Sequence, residues 1–183
     1  RGDGQPMTGI VAWFTGFSGA GKSTIANRAE GILTANGRNV ITLDGDAVRA
    51  KIHADLGFSV EDIYENNRRF IALCLESIAA HDVVLVPKIS PFLKQRAIAR
   101  KEIGDAYLEI YVRASLGEVS RRDPKGLYRD SREGRLSGLV GVAPEVPYEP
   151  PSDPELILDT ETHDVEACAR MLADYLLRIR EPQ

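Results

Sequence analysis

An apolar run, Ile10 to Thr15 (IVAWFT), leads directly into Gly-Phe-Ser-Gly-Ala-Gly-Lys-Ser-Thr at residues 16–24. This junction restricts the possible folds more than any other stretch. A short continuous apolar run bounded by glycine reads as a strand buried on both faces. The spacing Gly16-x4-Gly21-Lys22-Ser23 then calls for a phosphate-holding loop followed by a helix. Its glycines reach backbone conformations closed to other residues, so successive N–H groups turn toward one anion. The helix starting near Lys22 adds its positive dipole end. Lys22 supplies a mobile positive charge, and the Ser23 hydroxyl suits Mg²⁺. The expected phosphate site is Gly16, Ser18, Gly19, Ala20, Gly21, Lys22, Ser23 and Thr24. A chance match is set aside because the motif follows an apolar strand and opens a helix. The loop alone does not choose between a kinase and a GTPase, but no NKxD-type guanine-reading segment occurs.

The rest of the chain repeats the same alternation. A helical pattern runs from Lys22 to Ala35 and closes on Asn36-Gly37. Asn39 to Leu43 reads as a second strand, Asp46 to about His53 as a short helix. Ser59 caps a longer helix running to about Ala80, with Asp62 three residues on. DVVLVP is the third strand, Pro91 to Gly104 a basic helix, and AYLEIYV the fourth strand. From Arg121 to Pro154 the chain is rich in glycine, proline and charge and lacks an apolar period, so it reads as a lid or wrapping loop. ELILDT and Val165 to Ile179 give a fifth strand and a last amphipathic helix. Strands alternating with helices predict an α/β fold, a five-stranded parallel sheet covered on both faces.

Composition narrows the partners. The 183 residues suit one domain, expected over 9–183 with a lid at about 121–150, preceded by a polar tail, 1–8, that reads as an expression remnant or linker. A net charge of -4 gives no support for bulk nucleic-acid binding, so an anionic ligand needs a local positive site. The longest apolar run, Val83 to Pro87, is far short of a membrane span, and no secretory signal is visible. Cys74 and Cys168 stand among apolar neighbours without CxxC spacing. They read as buried free thiols in a reducing compartment, and a cytoplasmic location is expected.

Asp44-Gly45-Asp46 lies at the carboxyl end of the second strand, the edge that faces the ligand crevice in open α/β sheets. A carboxylate there can hold Mg²⁺-bound water or accept the proton of an attacking hydroxyl. The competing reading is a turn-forming Asp-Gly pair; it weighs more on Asp44 than on Asp46. Arg49, one turn later, could meet an anionic acceptor.

These residues carry a family likeness. WFTGFSGAGKST (13–24), LDGDAVR (43–49), DLGFS (55–59), ENNRR (65–69), ISPFLKQR (89–96), RDPKGLY (122–128) and PYEPPSDPELILDT (147–160) fall in one order along nearly the whole chain. Together they resemble the adenylylsulfate kinase (APS kinase) family, which phosphorylates the 3′-hydroxyl of adenosine 5′-phosphosulfate (APS) with MgATP in sulfate assimilation. The resemblance implies a P-loop kinase fold, with ATP and Mg²⁺ as cofactors and Ser23 on the metal. It makes Asp46, Lys22 and Lys125 catalytic, Asp46 taking the acceptor proton. It adds Arg122 and Arg129 to the donor site through the lid. It implies an acceptor site of Asp44, Arg49, Asn66, Ile89, Ser90, Lys125 and Phe58, the last stacked on the base. A small nucleotide partner and a homodimer follow from the same likeness.

Three positions depart from the family pattern. Where the family has Asp-Arg, this chain has Asp62-Ile63, which removes a cation and its bidentate fork. In the lid, Leu139-Val140-Gly141 stands for Phe-Thr-Gly, so one face expected against adenine becomes aliphatic. Lys88 precedes Ile89-Ser90-Pro91 where an apolar or small residue is usual. Lys88 either replaces the missing charge or is a solvated strand-end lysine. Lys88 and Leu139 therefore join the expected acceptor residues. The chemistry is kept and the acceptor side is edited. APS is the first expected acceptor; another nucleotide acceptor, such as a modified cytidine diphosphate (cytidine diphosphoramidate), is the alternative. A non-catalytic nucleotide-binding module is the third.

Overall fold

The structure, a computed structural model, describes residues 9–57 and 59–179. Five strands form one parallel sheet: β1 (Ile10–Thr15), β2 (Val40–Thr42), β3 (Val83–Val86), β4 (Tyr107–Arg113) and β5 (Leu156–Asp159), in the order β2-β3-β1-β4-β5. Among the described residues seven α-helices accompany them: α1 (Lys22–Ala35), α2 (Gly45–Lys51), α3 (Val60–Ser77), α4 (Leu93–Ile103), α5 (Leu116–Arg122), α6 (Leu127–Arg132) and α7 (Val165–Arg178). The expected five-stranded parallel sheet between helical layers is what forms.

The two-residue alternation of the strands decides what each layer buries. Ala12, Phe14, Leu85, Ile110, Val112 and Leu158 point to one face and pack with Ile25, Ala29 and Leu33 of α1 and Cys168, Leu172 and Leu176 of α7. Val11, Trp13, Val84, Val86 and Tyr107 point to the other and pack with Val48 of α2, Phe70, Ile71 and Cys74 of α3, and Ala99 and Ile103 of α4. Cys74 and Cys168 are both buried and free, and they lie in these two separate clusters, so they cannot pair.

Local signals fix the helix starts. Asp44 accepts from the N–H groups of Asp46 and Ala47, Ser59 from Asp62, Ser115 from Glu118, and Asp164 from Ala167. The stretch expected to be lid or loop is more ordered than its composition suggests. It begins with the last two residues of α5 and contains the whole of α6. Both are short, so neither builds the apolar period that marks a helix in sequence.

One buried charge pair ties the acceptor-side helix to the sheet. Arg96 of α4 is 2% exposed; its Nε lies 2.8 Å from Glu109 Oε1 on β4. Its other nitrogens donate to the carbonyls of Ser90 (2.6 Å) and Glu149 (2.7 Å). Removing one partner leaves the other charge buried without its match. Arg96→Met is therefore expected to destabilise the fold by about 3–5 kcal/mol, read as a lower urea midpoint; adding Glu109→Gln should recover part of that loss.

Candidate active site

The carboxyl ends of β1, β2 and β3 open into one cavity of about 360 Å³. The glycine loop forms its floor. Gly19 and Gly21 take φ of +80° and +105°, which other residues rarely adopt. Gly21 is the N-cap of α1, so the free N–H groups of the first helical turn face a prospective anion. Lys22 folds back over the loop, donating to the carbonyls of Gly16 (2.8 Å) and Phe17 (2.6 Å). Burial pushes its amine down to about 7, repulsion from Lys125 adds to this, and Asp46 and Asp44 partly oppose it. An amine so placed has lost its water and gained no full counter-charge, which is what an incoming phosphate would supply.

Asp44 and Asp46 sit at the start of α2. The Ser23 hydroxyl donates to Asp44 Oδ2 at 2.5 Å, joining the expected metal residue to a carboxylate expected at the acceptor. Asp46 pairs with Lys125 across the cavity. Both side chains are exposed, 76% and 56%, so the pair contributes little to stability and is readily exchanged for a ligand.

Lys125 owes its position to the surrounding turn. Asp123 takes φ +33° and accepts from the N–H groups of Tyr128 and Arg129. The Tyr128 hydroxyl donates to the Ser18 carbonyl at 2.7 Å, which fastens α6 to the phosphate loop. A Cβ on Gly19 would meet Pro124 at 3.3 Å. The RDPKGLY stretch is thus a strut that carries Lys125 over Asp46. Tyr128 and Pro124 were not singled out in the sequence, although both lie within a motif that was.

On the acceptor side, Arg49, Ile63, Asn66, Lys88, Ile89 and Ser90 line the same cavity. Arg49 donates to the carbonyls of Leu56 (3.1 Å) and Gly57. Asn66 is held by His53 Nδ1 at 2.8 Å. Ser90 adopts φ +47°, unusual for a non-glycine. Its hydroxyl accepts from Trp13 Nε1 (2.8 Å), and its carbonyl from Thr15 (3.1 Å) and Arg96 (2.6 Å). Lys88 is not the solvated lysine of the bland reading: its Nζ stands over the rings of Trp13 (5.0 Å) and Phe70 (4.8 Å).

Several expected residues lie outside the cavity lining, although Gly16 and Asp44 hold the lining residues Lys22 and Ser23. Gly16, Ala20, Asp44, Arg122, Arg129 and Leu139 are not among the cavity's lining residues. Arg122 donates to Thr160 Oγ1 (3.0 Å) and O (2.8 Å) and to Glu118 (2.8 Å). Arg129 lies 3.6 Å from Asp130. Leu139 is 8% exposed and packs in the α1–α7 apolar cluster, because an aliphatic chain there is stabilised by burial. Phe58 lies outside the described residues, as do 1–8 and 180–183.

Gly141, two residues after Leu139, holds φ +79°, and a Cβ there would lie 2.3 Å from Phe17 Cε1. Phe17 packs against Tyr148 in a tilted ring pair, with centroids 4.6 Å apart. Gly141→Ala is therefore expected to cost about 1–3 kcal/mol from left-handed backbone and overpacking. It should also weaken donor-nucleotide binding by displacing Phe17, whose carbonyl holds Lys22; thermal unfolding and calorimetry with ATP check both.

A parallel sheet in this order, with a phosphate loop after the first strand and a carboxylate after the second, defines an ATP-dependent phosphotransferase of the P-loop kinase class. More narrowly, the chain belongs to the adenylylsulphate kinase family, whose model matches residues 8–159. It is 42% identical to the adenylyl-sulfate kinase of Bacillus licheniformis, over 91% of this chain and 84% of that protein. It is 44% identical to that of Pseudomonas entomophila, over 90% and 79%. Among solved structures, the Mycobacterium tuberculosis APS kinase in complex with AMPPNP and APS superimposes with a TM-score of 0.88 at 39% identity, covering 94% of this chain and 99% of that one.

Proposed function

We propose that this enzyme transfers the γ-phosphoryl group of ATP to the 3′-hydroxyl of adenosine 5′-phosphosulfate, giving 3′-phosphoadenosine 5′-phosphosulfate and ADP. The observation that carries the reading is the Asp46–Lys125 pair, set in the same cavity as Lys22 and the glycine loop. Lys22 leaves the carbonyls of Gly16 and Phe17 for the outer phosphates. Arg49, Asn66, Ile89 and Ser90 hold the acceptor so that its hydroxyl meets Asp46. Asp46 takes the hydroxyl proton as the oxygen attacks phosphorus. Lys125 turns from Asp46 to the transferred group, whose charge it balances.

The oxygen donors present suit Mg²⁺. Ser23 Oγ and Asp44 are already joined by a hydrogen bond, and among the described residues no group of three or more His, Cys, Asp or Glu forms an all-protein metal cage. A cation held by one or two protein oxygens plus phosphates and water is the usual Mg²⁺ arrangement. Ser23, with Asp44 behind it, would hold the ion, which would supply positive charge to offset that of the phosphates.

Residues 121–150 act as a lid in this reading, with Arg122 and Arg129 over the donor, so that water is excluded from the transfer. Residues 9–183 function as one domain, a homodimer is the working assembly, and the setting is cytoplasmic. Among the described residues no helix is long and apolar enough to cross a membrane. Coupled ADP release, with APS compared against cytidine-type nucleotide acceptors, tests the reaction. Saturable turnover with APS is expected; silence with APS but turnover with a cytidine acceptor overturns the assignment.

A further inference from the structure

The proposed transfer leaves one amine in the cavity wall unused. Lys88 follows β3, and its side chain carries Nζ onto the Trp13 and Phe70 rings. Among the described residues its one hydrogen bond is to Asn67 Oδ1 at 3.3 Å, and no carboxylate pairs with it. The groups that face it are Trp13 on β1, Arg49 on α2, and Asn67, Phe70 and Cys74 on α3, with His53 edge-on to Phe70 at 5.5 Å. Burial pushes the Cys74 thiol up to about 12, so it offers no negative charge at neutral pH. Burial also pushes the Lys88 amine down to about 7, and repulsion from Arg49 adds to the shift. The aromatic faces favour a cation there, yet much of its hydration is lost and no carboxylate among the described residues replaces it. The Lys88 Cβ also lies against the start of α2, the helix that carries Asp46 and Arg49: a Cβ on Gly45 would lie 3.0 Å from it.

We propose that Lys88 is a specificity-determining residue of this kinase: its amine, together with Arg49, receives an anionic group of the acceptor beside Asp46. This rests on the reading of the cavity as an acceptor site. It assigns the acceptor class as a nucleotide whose anionic tail enters the space bounded by Arg49, Lys88 and the apolar wall of Ile63. The aromatic seat holds the amine ready, so little side-chain freedom is lost on binding.

The test uses the whole chain with Mg²⁺ and a non-hydrolysable ATP analogue filling the phosphate loop. Calorimetry then compares APS with adenosine, which lacks the anionic tail, for the wild type and for Lys88→Met, which keeps the stem on the rings. The expected result is APS binding about ten- to a hundredfold weaker in the variant, the worth of one charge-assisted hydrogen bond, with adenosine unchanged. Equal loss for both ligands, no loss for either, or a wild type that does not prefer APS overturns the proposal. Lys88→Gln repeats the comparison if the methionine variant fails to fold. Turnover separates the two claims. A wild type that binds APS through Lys88 without phosphorylating it sinks the proposed reaction alone. A Lys88→Met variant that binds APS as tightly as an active wild type sinks the Lys88 assignment alone.

Discussion

Asparagine at position 46 is expected to lower kcat about 10²–10⁴-fold, the usual worth of a positioned general base, while ATP binding stays nearly intact. The asparagine keeps the shape and exposure of the side chain but can no longer take a proton. Asp44, not Asp46, caps α2, through the N–H groups of Asp46 and Ala47, so the helix should survive. The side chain is 76% exposed, and its pair with Lys125 adds little to stability, so the unfolding midpoint should hardly move. The loss therefore belongs in kcat and kcat/KM together, because the lost interaction acts on the reacting proton. Freeing Lys125 gives a second signature: the released ammonium remains available to phosphate, so donor affinity should not fall. Coupled ADP-release kinetics and ATP calorimetry on one preparation check both parts. Unchanged turnover removes Asp46 from the mechanism.

The sequence shows the layers and the phosphate loop clearly because both are written locally. Helix α1 runs from Lys22 to Ala35, the expected bounds, since a loop glycine starts it and Asn36-Gly37 ends it. The capping of α3 by Ser59 and Asp62 was equally plain. Helices α5 and α6 were not legible as such. Their order comes from contacts far away in the chain, such as Tyr128 with Ser18 and Arg122 with Thr160. The same reason explains Lys88 and Leu139. Nothing next to Lys88 says whether its amine meets water; Trp13, 75 positions earlier, and Phe70 decide that. Leu139 was expected at the acceptor from its place in a motif, yet its aliphatic side chain is packed in the apolar cluster and is absent from the cavity lining. Motif position pointed to this cavity; which side chains line it is set by packing.

Removing the charge of Lys22 should have the other large effect, and it should separate activity from stability. In Lys22→Met no amine remains to follow the outer phosphates, and transition-state charge is left unbalanced, so activity should fall by at least about 10²–10³-fold, the cost of deleting one preorganised electrostatic donor. The free protein should respond differently. In the folded chain burial has pushed Lys22 down to about 7 from the ordinary lysine value of 10.5. Between those two values the unfolded chain binds more protons than the folded one, so stability rises with pH across that window. The cost of burying this amine is thus fully present below about pH 7 and disappears as pH rises toward 10.5. Methionine carries no such cost. Lys22→Met should be at least as stable as the wild type near pH 7, and its stability should climb less steeply toward pH 10. Lys88, shifted in the same direction, keeps some slope in both proteins. Urea unfolding at a series of pH values, beside ADP-release assays, reads both quantities. A fully active variant would remove Lys22 from the donor site. A variant with the wild-type pH slope would mean that its amine is not buried in the free enzyme.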